Sequence, residues 1–178
     1  DENCLRYART VLDSISDTVK GVCIDLRGNH GGNMYPMIAA VHRFLPDDIL
    51  LKFKMRRRFR SVMPINKEFV ANLVGVEIES RINCPVAILT DEETASSGEA
   101  VLLCFRGLDN VRVFGSPTAG YASANESIIL DNGSILALTV SCDIARTGEI
   151  FCDDPIVPDV ETESPEEDAL SWLKENIK

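Results

Sequence analysis

The chain has 178 residues, of which 45% are hydrophobic and 26% charged, and carries a formal net charge of −10. That length is enough for one domain with a sizeable core, and the composition argues against a disordered chain. The acidic balance argues against a nucleic-acid partner or an anionic membrane surface, and no apolar run approaches the roughly 20 residues that a bilayer-spanning helix needs.

Residues 4–19 set Leu5, Ala8, Leu12, Ile15 and Val19 at helical spacing, with Gly21 as a stop. Gly21–Leu26 (GVCIDL) is apolar without alternation, the pattern of a strand buried on both faces. Arg27–Asn33 (RGNHGGN) then leads into a helix over Met34–Phe44, with Pro36 tolerable in its first turn. A strand, a Gly-Gly turn and a helix leave free backbone N–H groups at the top of a sheet, where a phosphate, a carboxylate or an oxyanion can be held. The turn is neither GxGxxG nor a Walker A loop. Ile49–Met55 alternates Leu51, Phe53 and Met55 with Lys52 and Lys54, as a half-buried strand does. It runs into Arg56-Arg57-Arg58-Phe59-Arg60, which reads as a solvated strand edge or, more sharply, as a subsite for a carboxylate-ended ligand. A helix is expected over 66–74.

Pro85–Leu89 (PVAIL) is a second buried strand and feeds TDEETASSGEAVLLC (Thr90–Cys104): a strand end, a polar turn and a helix opening on small residues. Ser96 stands where turn becomes helix, beside unpaired N–H groups and the positive end of the helix dipole. Serine there is ordinarily a cap, and the same surroundings suit a nucleophile. The helix over 97–106 stops at Gly107, and Val111–Phe114 is a third short strand. Ser127–Leu130 and Ser134–Val140 flank Asp131-Asn132-Gly133, a hairpin signal. After an extended Pro-rich stretch over 147–159, Ser164-Pro165-Glu166-Glu167 opens a last helix with Leu170, Leu173 and Ile177 in one stripe and Trp172 beside it. There is no repeat and no linker, so residues 1–178 are expected to form a single α/β domain. The six cysteines include no CxxC pair and fit no zinc pattern. Cys23, Cys84 and Cys104 read as small buried hydrophobes, which leans toward a reducing compartment, while Cys4 and Cys152 stay unassigned.

Three stretches now stand in register: Ile24–Asn33 (IDLRGNHGGN), Pro85–Val101 (PVAILTDEETASSGEAV) and Val113–Asn125 (VFGSPTAGYASAN), followed by Arg146–Asp159 (RTGEIFCDDPIVPD). Together they resemble the catalytic domain of S41-type serine peptidases, the tail-specific or C-terminal-processing family, over nearly the whole chain. The resemblance implies a ClpP/crotonase-like spiral of ββα units, a peptide or protein substrate cut near its C-terminus, and no cofactor or metal. It places the nucleophile on Ser96 and the oxyanion donors on the N–H groups of Ser97 and of Gly31 or Gly32. Thr118, Tyr121 and Asn125 are carried over as lining the substrate cleft.

One departure bears on mechanism. The processing branch uses a lysine about 25 residues after the nucleophile, but that register falls on Gly120-Tyr121, and no lysine lies between Lys67 and Lys174. A Ser–Lys dyad is excluded. PTAGYASAN is similar instead to the Ser–His branch, which includes tricorn-like and nisin-resistance peptidases. Its histidine comes from a segment N-terminal to these stretches, whereas this chain has only His30, in the Gly-Gly turn, and His42, on the following helix. The expectation is therefore a C-terminal piece of the catalytic domain whose general base lies outside it. Glu149, Asp153 and Asp154 are candidates for an orienting carboxylate and read equally as solvated loop charges. The family resemblance points to an extracytoplasmic or membrane-anchored parent, against the lean of the cysteines. The rival reading is a non-catalytic ligand-binding or scaffold module on the same fold.

Overall fold

In the computed structural model, which describes residues 2–55 and 62–177, the short apolar runs lie side by side as a parallel sheet. Its strands are β1 (Val22–Asp25), β4 (Val86–Thr90), β5 (Val111–Gly115) and β9 (Val160–Glu161), in the order β1-β4-β5-β9. β4 is central and buried at every position, which is why PVAIL shows no alternation. Val22 pairs with Val86, and Leu89 pairs with Phe114.

The second sheet is antiparallel. β3 (Val62–Asn66), β2 (Ile49–Met55), β7 (Ile135–Ile144) and β6 (Ser123–Ile129) follow in the order β3-β2-β7-β6, and β8 (Ile150–Phe151) pairs with β7. The Asp131–Gly133 turn closes the expected hairpin, but both strands run further inward than their apolar cores indicate. The outer half of this hairpin is exposed, with Ile129 and Ile135 open to solvent.

The chain also forms α2 (Met34–Val41), α3 (Lys67–Val74) and α4 (Ser97–Phe105), with α2 packed on both of the others. α4 is buried over its whole length and packs on α2 and on β2. Helices buried all round carry apolar residues all round, which AVLLCF supplies. Asn33 and Asn66 cap α2 and α3 by accepting the N–H of Tyr35 and Phe69.

Four readings need correction. The first helix, α1 (Glu2–Leu12), stops about two turns before Val19. Beyond it the backbone tightens to i→i−3 bonds, with the Ser14 N–H donating to the Val11 carbonyl (3.1 Å) and the Ile15 N–H to the Leu12 carbonyl (3.0 Å), and the Ser14 hydroxyl also donates to Val11. Ile15 and Val19 still pack on the core, from irregular chain. In the last helix, α5 (Pro165–Asn176), the buried residues are Ala169 and Leu173, with Trp172 against Phe114 at 6.0 Å, whereas Leu170 faces solvent. Cys23 is exposed on the edge strand β1. Cys142 and Cys152 form a disulfide, against the lean toward a reducing compartment. The basic cluster at Arg56–Arg60 lies outside the described residues.

Candidate active site

Two strand-to-helix turns, 27–33 after β1 and 91–96 after β4, meet above the parallel sheet. They are tied together by the Ala95 N–H donating to the Asn29 carbonyl (2.9 Å) and the Ser97 hydroxyl donating to the Gly32 carbonyl (2.7 Å). Thr94 donates its hydroxyl to the Leu26 carbonyl (2.9 Å), and the Asp91 carboxylate accepts the Gly28 N–H. The approach is so close that a Cβ on Gly31 would stand 2.7 Å from Ser96 Cβ and 3.1 Å from both Ser96 Oγ and Ser97 N. Gly31 also has φ +101, a conformation that L side chains avoid. Its N–H is engaged by the Asn29 side chain (3.0 Å). Among the described residues no acceptor is recorded for the N–H of Gly32 or of Ser97, the first residue of α4. Of the two glycines, Gly32 therefore keeps the unengaged donor.

Ser96 has φ 52 and ψ −112, a left-handed conformation that among the described non-glycine residues it alone adopts. Such a backbone costs about 1–3 kcal/mol and persists only where its surroundings hold it. What holds it is Glu99. This carboxylate is fully buried and accepts four hydrogen bonds: from the N–H of Ser96 (2.8 Å), the hydroxyl of Thr118 (2.6 Å), and the N–H groups of Gly120 (2.9 Å) and Tyr121 (2.9 Å). The Ser96 turn is thereby fastened to the Gly120-Tyr121 loop. Glu99 was not singled out in the sequence, although Ser96-x-x-Glu99 has capping-box spacing.

Beside these turns opens a cleft of about 570 Å³, lined on one side by Gly32, Asn33, Tyr35, Ser96 and Ser97 and on the other by residues of the antiparallel sheet. Asn125 is among its lining residues. Thr118 does not: it is 3% exposed, and its hydroxyl is used by Glu99 and by the N–H of Ile156 (2.8 Å). Tyr121 is exposed and contributes its backbone N–H to Glu99 rather than its ring to the cleft. Asp143, which the sequence reading passed over, lies in the cleft wall at 2% exposure. Burial, reinforced by the nearby Glu99 charge, pushes its carboxyl up to about 7.

Neither histidine lines the cleft. His42 is buried with both ring nitrogens engaged, Nδ1 with the Ala39 carbonyl (2.7 Å) and Nε2 accepting the Glu79 N–H (3.1 Å), and burial holds its pKa below the usual value. His30 is exposed. Glu149 pairs bidentately with Arg106 (3.0 Å and 3.0 Å), and Asp153 and Asp154 are exposed outside the cleft lining. Arg27 bridges Asp25 (2.7 Å) and Glu166 (2.5 Å), joining β1 to the start of α5.

Peptidase family S41 matches residues 5–162. The nisin-resistance protein of Lactococcus lactis subsp. lactis is 34% identical over 183 residues, covering all of this chain and 58% of that protein. A solved lipoprotein from Streptococcus agalactiae superposes with a TM-score of 0.88 at 34% identity, over 99% of this chain and 62% of that one. The photosystem II D1 C-terminal processing protease shares the fold, with a TM-score of 0.67 at 21% identity over 93% of this chain and 40% of that one. The chain thus spans less than two thirds of the length of these relatives.

Proposed function

The chain belongs to peptidase family S41, and we propose that it forms the nucleophile-bearing part of a serine peptidase active site, with Ser96 attacking the scissile carbonyl. The observation that carries this reading is the strained Ser96 backbone at the N-terminus of a buried helix, with the Gly-Gly turn pressed against it. Strain of that kind at a strand-to-helix turn brings backbone N–H groups toward the side chain. The tetrahedral oxyanion is held by the N–H groups of Ser97 and Gly32, each worth about 10²–10³ in rate. The Gly31 N–H fixes the turn through Asn29 instead of binding the oxyanion.

The general base comes from outside these 178 residues. His42 is consumed in the core, neither histidine is in the cleft lining, and Gly120-Tyr121 stands where the processing branch has its lysine. A serine without its base keeps only the oxyanion and binding part of catalysis. Substrate lies extended along the cleft and pairs with β6, an edge strand whose first residues, Ser123–Asn125, line it. Cleavage near substrate C-termini and an extracytoplasmic parent complete the proposal. The Cys142–Cys152 disulfide supports that location, since such bonds persist in oxidising surroundings. Among the described residues no helix is long and apolar enough to cross a membrane.

The test is labelling by a fluorophosphonate together with peptide hydrolysis, measured in the parent protein and in its Ser96→Ala variant. Labelling and hydrolysis that vanish in the variant are expected. Hydrolysis that survives Ser96→Ala overturns the assignment, and a parent that neither cleaves nor labels favours the ligand-binding alternative.

A further inference from the structure

Asp143 Oδ1 is one of three buried side-chain atoms without a hydrogen-bond partner among the described residues, with Ser141 Oγ and Arg146 Nε, and of the three residues Asp143 lines the cleft. Glu99, equally buried, receives four donors, whereas Asp143 Oδ1 is buried without a hydrogen-bond partner. Leaving such an oxygen unmet is costly, and an apolar residue on β7 would fill the place without that cost. Its neighbours do not neutralise it. Glu99, from α4, adds like charge. Arg146 donates Nη1 to the Ile49 carbonyl (3.4 Å) while its Nε is buried without a partner, and among the described residues it forms no ion pair with Asp143. Asp143 stands opposite Phe53 in the β2–β7 register, so Lys52 and Lys54 alternate to the other face. Phe53, Met55, Met63 and Ala100 supply an apolar stretch of the same lining, beside the polar Asn33, Tyr35, Ser96, Ser97, Ser123 and Asn125.

We propose that Asp143 is the specificity residue of this cleft, receiving the cation of a lysine or arginine side chain in the bound peptide. The reading rests on the cleft being the peptide site proposed above. An apolar wall ending in an unmet carboxyl matches a long aliphatic stem ending in a cation. The stem packs on the methionines and Phe53, and the ammonium or guanidinium meets a carboxylate screened from water. A norleucine side chain fills the same wall but leaves the oxygen unmet, and a glutamate is repelled by both Asp143 and Glu99.

The experiment uses fluorescein-labelled pentapeptides Ala-Ala-X-Ala-Ala, titrated by fluorescence anisotropy at pH 8 onto protein carrying Ser96→Ala. Peptides with X as lysine or arginine are expected to bind about 10-fold or more tightly than the norleucine peptide. In the Asp143→Asn, Ser96→Ala double variant, lysine and norleucine peptides are expected to bind alike. Equal binding of lysine and norleucine without the Asp143 substitution, which needs no second variant to fold, overturns the proposal. So does a lysine preference that survives Asp143→Asn, or the absence of binding by any peptide. Fluorophosphonate labelling of unsubstituted protein is scored separately, so a lysine preference without labelling removes the catalytic role of Ser96 and leaves that of Asp143 standing.

Discussion

Glu99 Oε2 accepts the backbone N–H of Ser96 at 2.8 Å, so the strained residue is held by a carboxylate on the first turn of its own helix. The other oxygen of that carboxylate takes Thr118 and Gly120. Glu99→Gln offers one acceptor oxygen where two now serve and turns an amide donor toward a backbone N–H. A loss of about 3–5 kcal/mol in unfolding free energy is expected, read from urea denaturation. Peptidase activity of the parent is expected to fall by about 10²-fold through misplacement of Ser96. Unchanged stability in Glu99→Gln would remove the clasp from the account.

Ser96→Gly separates strain from chemistry. Glycine adopts φ 52, ψ −112 freely, so the substitution relieves a cost that serine bears. We expect the variant to gain about 1 kcal/mol in stability while losing fluorophosphonate labelling. A loss of stability would mean that the Ser96 side chain contributes more than its backbone costs.

Gly31→Ala acts in the opposite sense. The new Cβ would press on Ser96 Cβ at 2.7 Å, from a backbone at φ +101. Thermal denaturation is expected to show a destabilisation of about 2 kcal/mol or more, with labelling of Ser96 slowed. Gly32→Ala meets nothing within 4 Å, but its φ of +123 makes it costly too.

Two buried groups give stability opposite pH dependences. His42 has a lowered pKa, so the unfolded chain binds the extra proton first and stability falls as pH drops below about 6.5. Asp143, raised to about 7, keeps its proton in the folded state after the unfolded chain has lost it. Stability therefore falls as pH rises from about 4 to about 7, by up to about 1.4 kcal/mol per pH unit. Urea midpoints from pH 4 to 8 should show the acid limb flattened in His42→Gln and the neutral limb flattened in Asp143→Asn.

The Cys142–Cys152 bond closes a loop of 10 residues. Cys142→Ala with Cys152→Ala is expected to cost about 2–3 kcal/mol. Reduction by dithiothreitol should reproduce that loss in the wild type and leave the double variant unaffected.

Much of the fold was legible because its strands are short, apolar and punctuated by glycine. PVAIL announces two-sided burial, and the turns after both strands announce helices; GVCIDL carries the same apolar pattern, but β1 stands at the sheet edge and exposes Cys23 and Asp25. Ser96 and the Gly-Gly turn were legible as local patterns, each on one side of one strand end. What stayed hidden depends on contacts distant in sequence. Glu99 reads as a helix-start acid until residues 118–121 return to it. Thr118 reads as a cleft residue until its hydroxyl is found in the core. The Cys142–Cys152 bond follows from the β7–β8 pairing, which a two-residue strand does not advertise. The end of α1 was misplaced because Ile15 and Val19 continue the apolar spacing after the backbone has tightened out of the α-helix at 13–15.

The cleft lies on the seam between two sheets that differ in how firmly they are braced. On the parallel side, Glu99, Thr118 and the Ala95–Asn29 bond lock the Ser96 turn, the glycine turn and the 118–121 loop into one body. On the other side, Phe53, Met55 and Met63 belong to β2 and β3, which reach that body through side-chain packing and not through a shared sheet. The two jaws of the cleft are thus held by different means: hydrogen bonds cross-brace the one that carries Ser96, and side-chain packing seats β2 and β3 against it.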